Sequence, residues 1–382
     1  MPVFTIRGKN HRERGVDYGV QCKELIQGVL ERYIRFFNGG HTAVSWDEAK
    51  VISKEFLPFI HSYSPELLDE LEGIAQGADV EFDDLLTLNS RSEAMTLVRR
   101  PPSDKEELDG CSSVAVLPDA SANGHTILAQ NWDTYTWQEY GTVILQILRD
   151  DGPDLMIVTE AGQLARYGMN QAGIALGVNS LQKTYNPEVF GIPSVFIRRK
   201  FLEQDRYVDA VNQIFGAESM LPMYYVAAYC GGDAMGFEKL KDGQLVLDTI
   251  LREHPGAVEN GLIAHSNHIR HPHYAYQVDA LGGTLYRDRR ILKHLQPKAG
   301  AVTMEDIKDA FKDHFGYPFS VCRHGDSRKT ELNRISTLGC ILMDVTDRRI
   351  WVCKGTPCCG EFKEYMWERP HKKSDWDQIE KW

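Results

Sequence analysis

With 382 residues, 42% of them hydrophobic and 25% charged, the sequence has the balance of an ordinary soluble protein and length for one large domain or two modest ones around a sizeable core. A net charge of -11 at pH 7 leaves no basic surplus with which to release counterions from nucleic acid or an anionic membrane. Both partners are excluded on that ground, and small molecules are the expected substrates.

No apolar run approaches the roughly 20 residues of a membrane helix. The best, Leu221 to Cys230, carries three tyrosines and reads as a buried strand. The opening Met1-Pro2-Val3-Phe4-Thr5-Ile6-Arg7 lacks the hydrophobic region of a signal peptide, and Glu380-Lys381-Trp382 is not a peroxisomal Ser-Lys-Leu ending, so the expected compartment is the cytoplasm. The eight cysteines (22, 111, 230, 322, 340, 353, 358 and 359) are therefore expected as thiols. No CxxC pair repeats at zinc-site spacing, so neither a metal nor a cofactor is expected. The denser His265, His268, His271 and His273 cluster reads as a turn-rich surface loop.

In chain order, Val16, Val20, Leu25, Val29, Tyr33 and Phe37 recur at helical steps and predict one amphipathic helix from His11 to Phe37. Ser45 with Glu48 is a capping box opening a second helix, and Ser64-Pro65 caps a third. The first 95 residues thus read as mainly helical. A polar linker follows, Arg99 to Glu107, with the composition of an exposed, cleavable loop, and ends in Leu108-Asp109-Gly110-Cys111. Beyond it the texture turns to short strands: Ser113 to Leu117, Thr126 to Gln130, Thr142 to Leu148, Leu155 to Thr159 and Ile174 to Val178, with Asn123-Gly124 as a turn. Helices return at Ser194 to Glu203, Tyr207 to Ile214 and Met304 to Phe315, and strands at Thr337 to Met343 and Arg349 to Cys353. The tail after Glu361 reads as a surface wrap. An α+β architecture of several layers follows.

Taken alone, Cys111 is a small buried hydrophobe. Its context says more. A polar linker ending in Asp-Gly, then Cys111-Ser112-Ser113, then a hairpin ending in Asn131-Trp132-Asp133, sets a thiol at the start of a sheet with a carboxylate at the end of the next strand.

Nine ordered stretches carry a resemblance. They are Gly15 to Gly19, Glu72 to Ala78, Leu88 to Glu93, Asp109 to Ser113, Gln130 to Asp133, Thr159 to Gly162, Gly168 to Gly173, His265 to His268 and Tyr317 to Arg323. With them the chain resembles the acyl-coenzyme A:6-aminopenicillanic acid acyltransferase family, the C45 peptidase-like branch of the N-terminal-nucleophile (Ntn) hydrolases, along nearly its whole length. The resemblance implies a four-layer αββα sandwich with a mainly helical N-terminal segment. It also implies autocatalytic cleavage between Gly110 and Cys111 into fragments 1–110 and 111–382, which stay associated. A free thiol near pKa 8.5 is only a few per cent thiolate at neutral pH, and the freed α-amine, near 7.7 to 8.0, is a base on the same residue.

Position by position, the resemblance makes Cys111 the nucleophile and Asp133 the carboxylate holding amine and thiol in register. Asn267 becomes an oxyanion donor and Arg334 the active-site arginine. Arg323 and Asn179 are substrate-side polar candidates. Asn333 stands where the family has a serine, which argues against a penicillin-type substrate. The implied activity is that of an amidase or acyltransferase on small acyl-amides through a Cys111 thioester. The alternatives are an acyl-CoA-dependent N-acyltransferase of the penicillin type, with an acyl-thioester substrate, and a catalytically silent binding protein on the same fold.

Overall fold

The computed structural model describes residues 1–97, 110–181, 190–240, 245–247, 260–270 and 283–371. The linker 99–107, His271, His273 and the last eleven residues lie outside the described residues. In chain order the elements are β1 (Val3–Ile6), α1 (His11–Gln21), α2 (Lys23–Phe36), α3 (Trp46–Lys54), α4 (Leu57–Tyr63), α5 (Pro65–Ala78) and α6 (Phe82–Leu97). Then come β2 (Ser112–Val116), β3 (Ile127–Tyr135), β4 (Thr142–Ile147), β5 (Leu155–Glu160), β6 (Tyr167–Asn170), β7 (Ile174–Ser180), α7 (Ser194–Leu202) and α8 (Tyr207–Phe215). They are followed by β8 (Met223–Tyr229), β9 (Asp233–Lys239), β10 (Leu245–Leu247), β11 (Leu262–His265), α9 (Thr284–Leu295), α10 (Met304–Phe311), β12 (Ile335–Asp344), β13 (Arg349–Lys354) and β14 (Phe362–Tyr365). The chain forms two compact units, Met1–Glu106 with Trp137–Gly168 and Tyr185–Leu221, and Glu107–Thr136 with Met169–Thr184 and Pro222–Trp382.

In the first unit the helix expected from His11 to Phe37 is two. The backbone leaves helical geometry at Cys22 (φ -108°, ψ 13°), which ends α1 and starts α2. The reason lies in α1's packing. A Cβ on Gly15 would run into the Glu70 carbonyl, on Gly19 into that of Ile74, on Gly73 into that of Arg12 and on Gly77 into that of Val16. Two glycine faces thus bring the backbones of α1 and α5 closer than any side chain allows. The break at Cys22 lets α2 take its own direction. The capping box of Ser45 and Glu48 is present, whereas Ser64 stands at the start of α5 without a side-chain capping bond. β1 pairs parallel with β4, and β4 antiparallel with β5.

In the second unit six strands lie in the order β11-β2-β3-β12-β13-β14. Period-two alternation turns Val114, Val116, Ile127, Ala129, Cys340 and Leu342 to one face, where Ile291 and Leu295 of α9 and Ile307, Ala310 and Phe311 of α10 complete an apolar core. From the opposite face Leu128 and Gln130 meet Gly177 of β7, which pairs with β8. The layers of this unit therefore run helix, sheet, sheet, and the fold is α+β, as the sequence predicts. The tail is not wholly a wrap, because Phe362–Tyr365 adds the edge strand β14 to β13.

Candidate active site

The strand register builds the site. β2 pairs antiparallel with β3, Ser112 opposite Asn131, and with β11, Ser113 opposite His265. Carried past the strand ends, the first pairing sets Gly110 opposite Asp133, and the Gly110 N–H does donate to the Asp133 carbonyl at 3.4 Å. The second sets Asn267 opposite Cys111. One thiol at the start of a core strand thus has a carboxylate residue on one neighbouring strand and an amide residue on the other. Cys111, Asp133 and Asn267 are all buried, and the Cys111 Sγ lies 4.0 Å from the Asp133 carbonyl oxygen.

Asp133 is held through Thr337, its partner on β12, where a bulge between Thr337 and Gly339 shifts the register. The Thr337 hydroxyl donates to Asp133 Oδ1 at 2.6 Å and accepts from the Arg323 N–H at 3.0 Å, while the Thr337 N–H donates to the Arg323 carbonyl at 3.0 Å. The Arg323 guanidinium and the Asp133 carboxylate border Gly110 closely, so that a Cβ there would collide with Arg323 Nη1. A side chain in place of this glycine would have to push the Arg323 guanidinium aside.

The arginine that reaches the thiol's own backbone is Arg287 of α9, absent from the sequence reading. Its Nη1 donates to the Gly110 carbonyl at 2.6 Å, the Cys111 carbonyl at 2.7 Å and Ser112 Oγ at 3.0 Å, and its Nη2 to Asn267 Oδ1 at 2.7 Å. Burial lowers its pKa, with Arg323 adding to that effect and Asp133, Cys111 and Asp288 opposing it. A guanidinium stays charged at neutral pH regardless. Arg334, by contrast, is brought to none of these residues: its Nη2 donates to the Lys329 carbonyl at 3.4 Å, and its stem lies against Gly325.

Asn267 is fixed at both ends of its amide, Oδ1 by Arg287 and Nδ2 by the Ser180 carbonyl at 2.8 Å. Its N–H donates to Thr284 Oγ1 at 2.8 Å. Asn179 stands behind it, donating to the carbonyls of His265 and Ser266 at 3.0 and 2.8 Å and accepting from Gln130 at 3.1 Å. It shapes the turn that presents Asn267. That turn is not the surface loop expected of His265 and His268. His265 is fully buried, stacked on Tyr224 with ring centroids 3.7 Å apart and 3.1 Å from Glu238 Oε1. Burial lowers the His268 pKa to about 4, against the pull of Asp288.

A buried thiol flanked by carboxylate, amide and a guanidinium clamped on the preceding carbonyl forms a thiol site inside an α+β core. The chain belongs to the acyl-coenzyme A:6-aminopenicillanic acid acyl-transferase family, whose sequence model matches residues 120–358, more than half the chain. The match spans Asp133, Asn179, Asn267, Arg323 and Arg334 and begins after Cys111. The acyl-coenzyme A:6-aminopenicillanic-acid-acyltransferase 40 kDa form of Emericella nidulans is 28% identical over 350 residues, 89% of this chain and 90% of that one. The beta-alanyl-dopamine/carcinine hydrolase of Drosophila melanogaster is 27% identical over 199 residues, 47% of this chain and 49% of the hydrolase. Among solved structures, a mutant of the conjugated bile acid hydrolase from Clostridium perfringens aligns with 68% of this chain and 97% of its own at 10% identity and a TM-score of 0.42. No described helix is long and apolar enough to cross a membrane.

Proposed function

We propose that this protein is a self-cleaving Ntn cysteine enzyme that hydrolyses or transfers the acyl group of small acyl-amides through a thioester on Cys111. The observation that carries the reading is the clamp on the Gly110–Cys111 bond: Arg287 Nη1 is 2.6 Å from the carbonyl oxygen that would have to become an oxyanion. In self-cleavage the Cys111 thiol gives up its proton and attacks the Gly110 carbonyl carbon. The peptide C–N bond breaks as the nitrogen takes a proton, leaving a thioester, and water hydrolyses it to a Gly110 carboxylate and a free Cys111 amine and thiol. Two guanidinium groups around one carboxylate favour the negative charge that develops on the oxygen.

In turnover the freed amine is the base, Asp133 holds it, and an acyl-amide replaces Gly110 at the thiol. One hydrogen of the Asn267 amide is engaged by Ser180, and the other remains for the substrate oxyanion. Arg323 borders the space that Gly110 leaves, which suits a substrate-side role, and Asn179 serves by positioning Asn267. Arg334 keeps the role that the resemblance implies only if its variants lose turnover. The relatives' names pair an acyltransferase with a beta-alanyl-dopamine/carcinine hydrolase, and Asn333, where the resemblance implies a serine, favours hydrolysis of an amide other than a β-lactam.

The test is intact-mass analysis with a denaturing gel, followed by rapid-quench mass spectrometry with an acyl-amide panel. Wild-type protein is expected as fragments 1–110 and 111–382, with an acyl adduct on the second, and Cys111→Ala as one intact chain. Full-length wild-type protein with full amidase activity would remove self-processing. Correct fragments without any adduct would remove the thioester.

A further inference from the structure

On either side of Arg323 in the sequence, and on two further stretches of chain, the second unit gathers two imidazoles and two thiols that the proposed reaction does not use. The ring nitrogens of His314 and His324 and the sulfurs of Cys322 and Cys358 all lie within 4.8 Å of one another. His314 follows α10, Cys322 and His324 flank Arg323, and Cys358 sits in the connection between β13 and β14. His324 Nε2 is 3.1 Å from His314 Nε2, 3.6 Å from Cys322 Sγ and 3.5 Å from Cys358 Sγ. A single ring nitrogen can donate or accept one hydrogen bond, so three heteroatoms converging on it exceed what hydrogen bonding uses.

We propose that His314, Cys322, His324 and Cys358 form a binding site for a thiophilic divalent ion, zinc by its donor set, closed by four protein ligands. With metal–nitrogen bonds of about 2.0–2.1 Å and metal–sulfur bonds of about 2.3 Å, a tetrahedral zinc site has N···N edges of about 3.4 Å and N···S edges of about 3.6 Å. The observed 3.1, 3.6 and 3.5 Å match those edges within a few tenths of an ångström. Both imidazoles point Nε2 inward, leaving Nδ1 outside as metal-ligating histidines do. Zinc(II) with two thiolates is neutral, and two thiol protons leave when it binds. Four protein ligands leave no open position for substrate or water, so the ion is a brace and takes no part in chemistry. It ties the segment after α10 to the β13–β14 connection across Arg323, whose backbone holds Thr337 and through it Asp133. The spacing search on the sequence misses it because the ligands at 314, 322, 324 and 358 include no CxxC pair.

The experiment uses full-length protein purified without a histidine tag from zinc-supplemented growth, with metal counted by plasma mass spectrometry. About one zinc per chain is expected. That content should fall at least tenfold in His314→Ala and in Cys358→Ser, and persist in Cys359→Ser, whose sulfur lies 3.4 Å from that of Cys358 but outside the four-ligand set. His314 is exposed, so its variant does not depend on repacking a core. Cobalt(II) should give the visible bands of a tetrahedral site with sulfur-to-cobalt charge transfer, lost in Cys358→Ser. Wild-type chains that take up neither zinc nor cobalt would overturn the proposal. So would metal content unchanged in His314→Ala and Cys358→Ser, or a mass deficit locating a Cys322–Cys358 disulfide.

Discussion

Replacing Arg287 separates charge from geometry at the thiol site. Arg287→Lys keeps a cation, but a single ammonium cannot donate at once to the carbonyls of Gly110 and Cys111, to Ser112 Oγ and to Asn267 Oδ1, which the guanidinium fork spans at 2.6 to 3.0 Å. Loss of one oxyanion donor typically costs about 100- to 1000-fold in rate, or about 2.7–4 kcal/mol of barrier. Self-cleavage of Arg287→Lys is therefore expected to slow by that factor. Arg287→Met, which also strands buried carbonyls at about 1–3 kcal/mol each, should in addition melt earlier. The assay is a time course of fragment 111–382 from freshly synthesised precursor on denaturing gels, with thermal melts beside it. If folded Arg287→Lys and Arg287→Met both cleave at the wild-type rate, the guanidinium on the Gly110 carbonyl has no part in the reaction, and the reasoning fails.

Thr337→Val removes the hydroxyl that joins Arg323 to Asp133, and a loss of about 1–3 kcal/mol in urea unfolding with at least tenfold slower turnover is expected. A wild-type rate would show that Asp133 needs no such orientation. Gly73→Ala forces α5 away from the Arg12 carbonyl and should destabilise by about 1–3 kcal/mol, whereas Gly124→Ala, with open space around it but φ of 70°, should cost less; equal losses would refute the close-packing account. His268 has a folded-state pKa of about 4, below its ordinary 6.5, so the unfolded chain binds the proton more readily. Its contribution to stability is therefore complete above about pH 6.5 and is lost as pH falls towards 4, by up to about 3 kcal/mol. His268→Gln should flatten that limb of a stability–pH curve, and an unchanged slope between pH 6.5 and 4 would contradict the assignment.

The hairpin around Asp133 was legible because β2 and β3 are short apolar runs joined by an Asn123-Gly124 turn, so their partners are near in sequence. Cys111, Asp133 and Asn267 also fall together, by the register of three neighbouring strands. Arg287 was not legible. The run Thr284 to Leu295 holds four arginines or lysines among its twelve residues and starts at Gly283 with no side-chain cap, so its buried stripe of Ile291, Leu292 and Leu295 is hidden among charges. His265 looked like loop because its partners, Glu238 on β9 and Tyr224 on β8, come from strands whose pairing the local pattern does not announce. Arg334 shows the converse limit: the resemblance gives it an active-site role, yet its guanidinium turns to the Lys329 carbonyl.

The facing glycines of α1 and α5 change what the ordered stretches record. Gly15 to Gly19 and Glu72 to Ala78 are two of the nine, and what they have in common is that each lets the other's backbone approach. A side chain added at any of these four glycines meets the backbone of the other helix, so that only a movement of the helices apart accommodates it. Homologous chains gathered by these two stretches would share a helix joint, and a chain that had lost its thiol would be gathered just as readily. On the function proposed above, Cys111, Asp133, Asn267 and Arg287 are the residues by which such a collection would be sorted into enzymes and the rest.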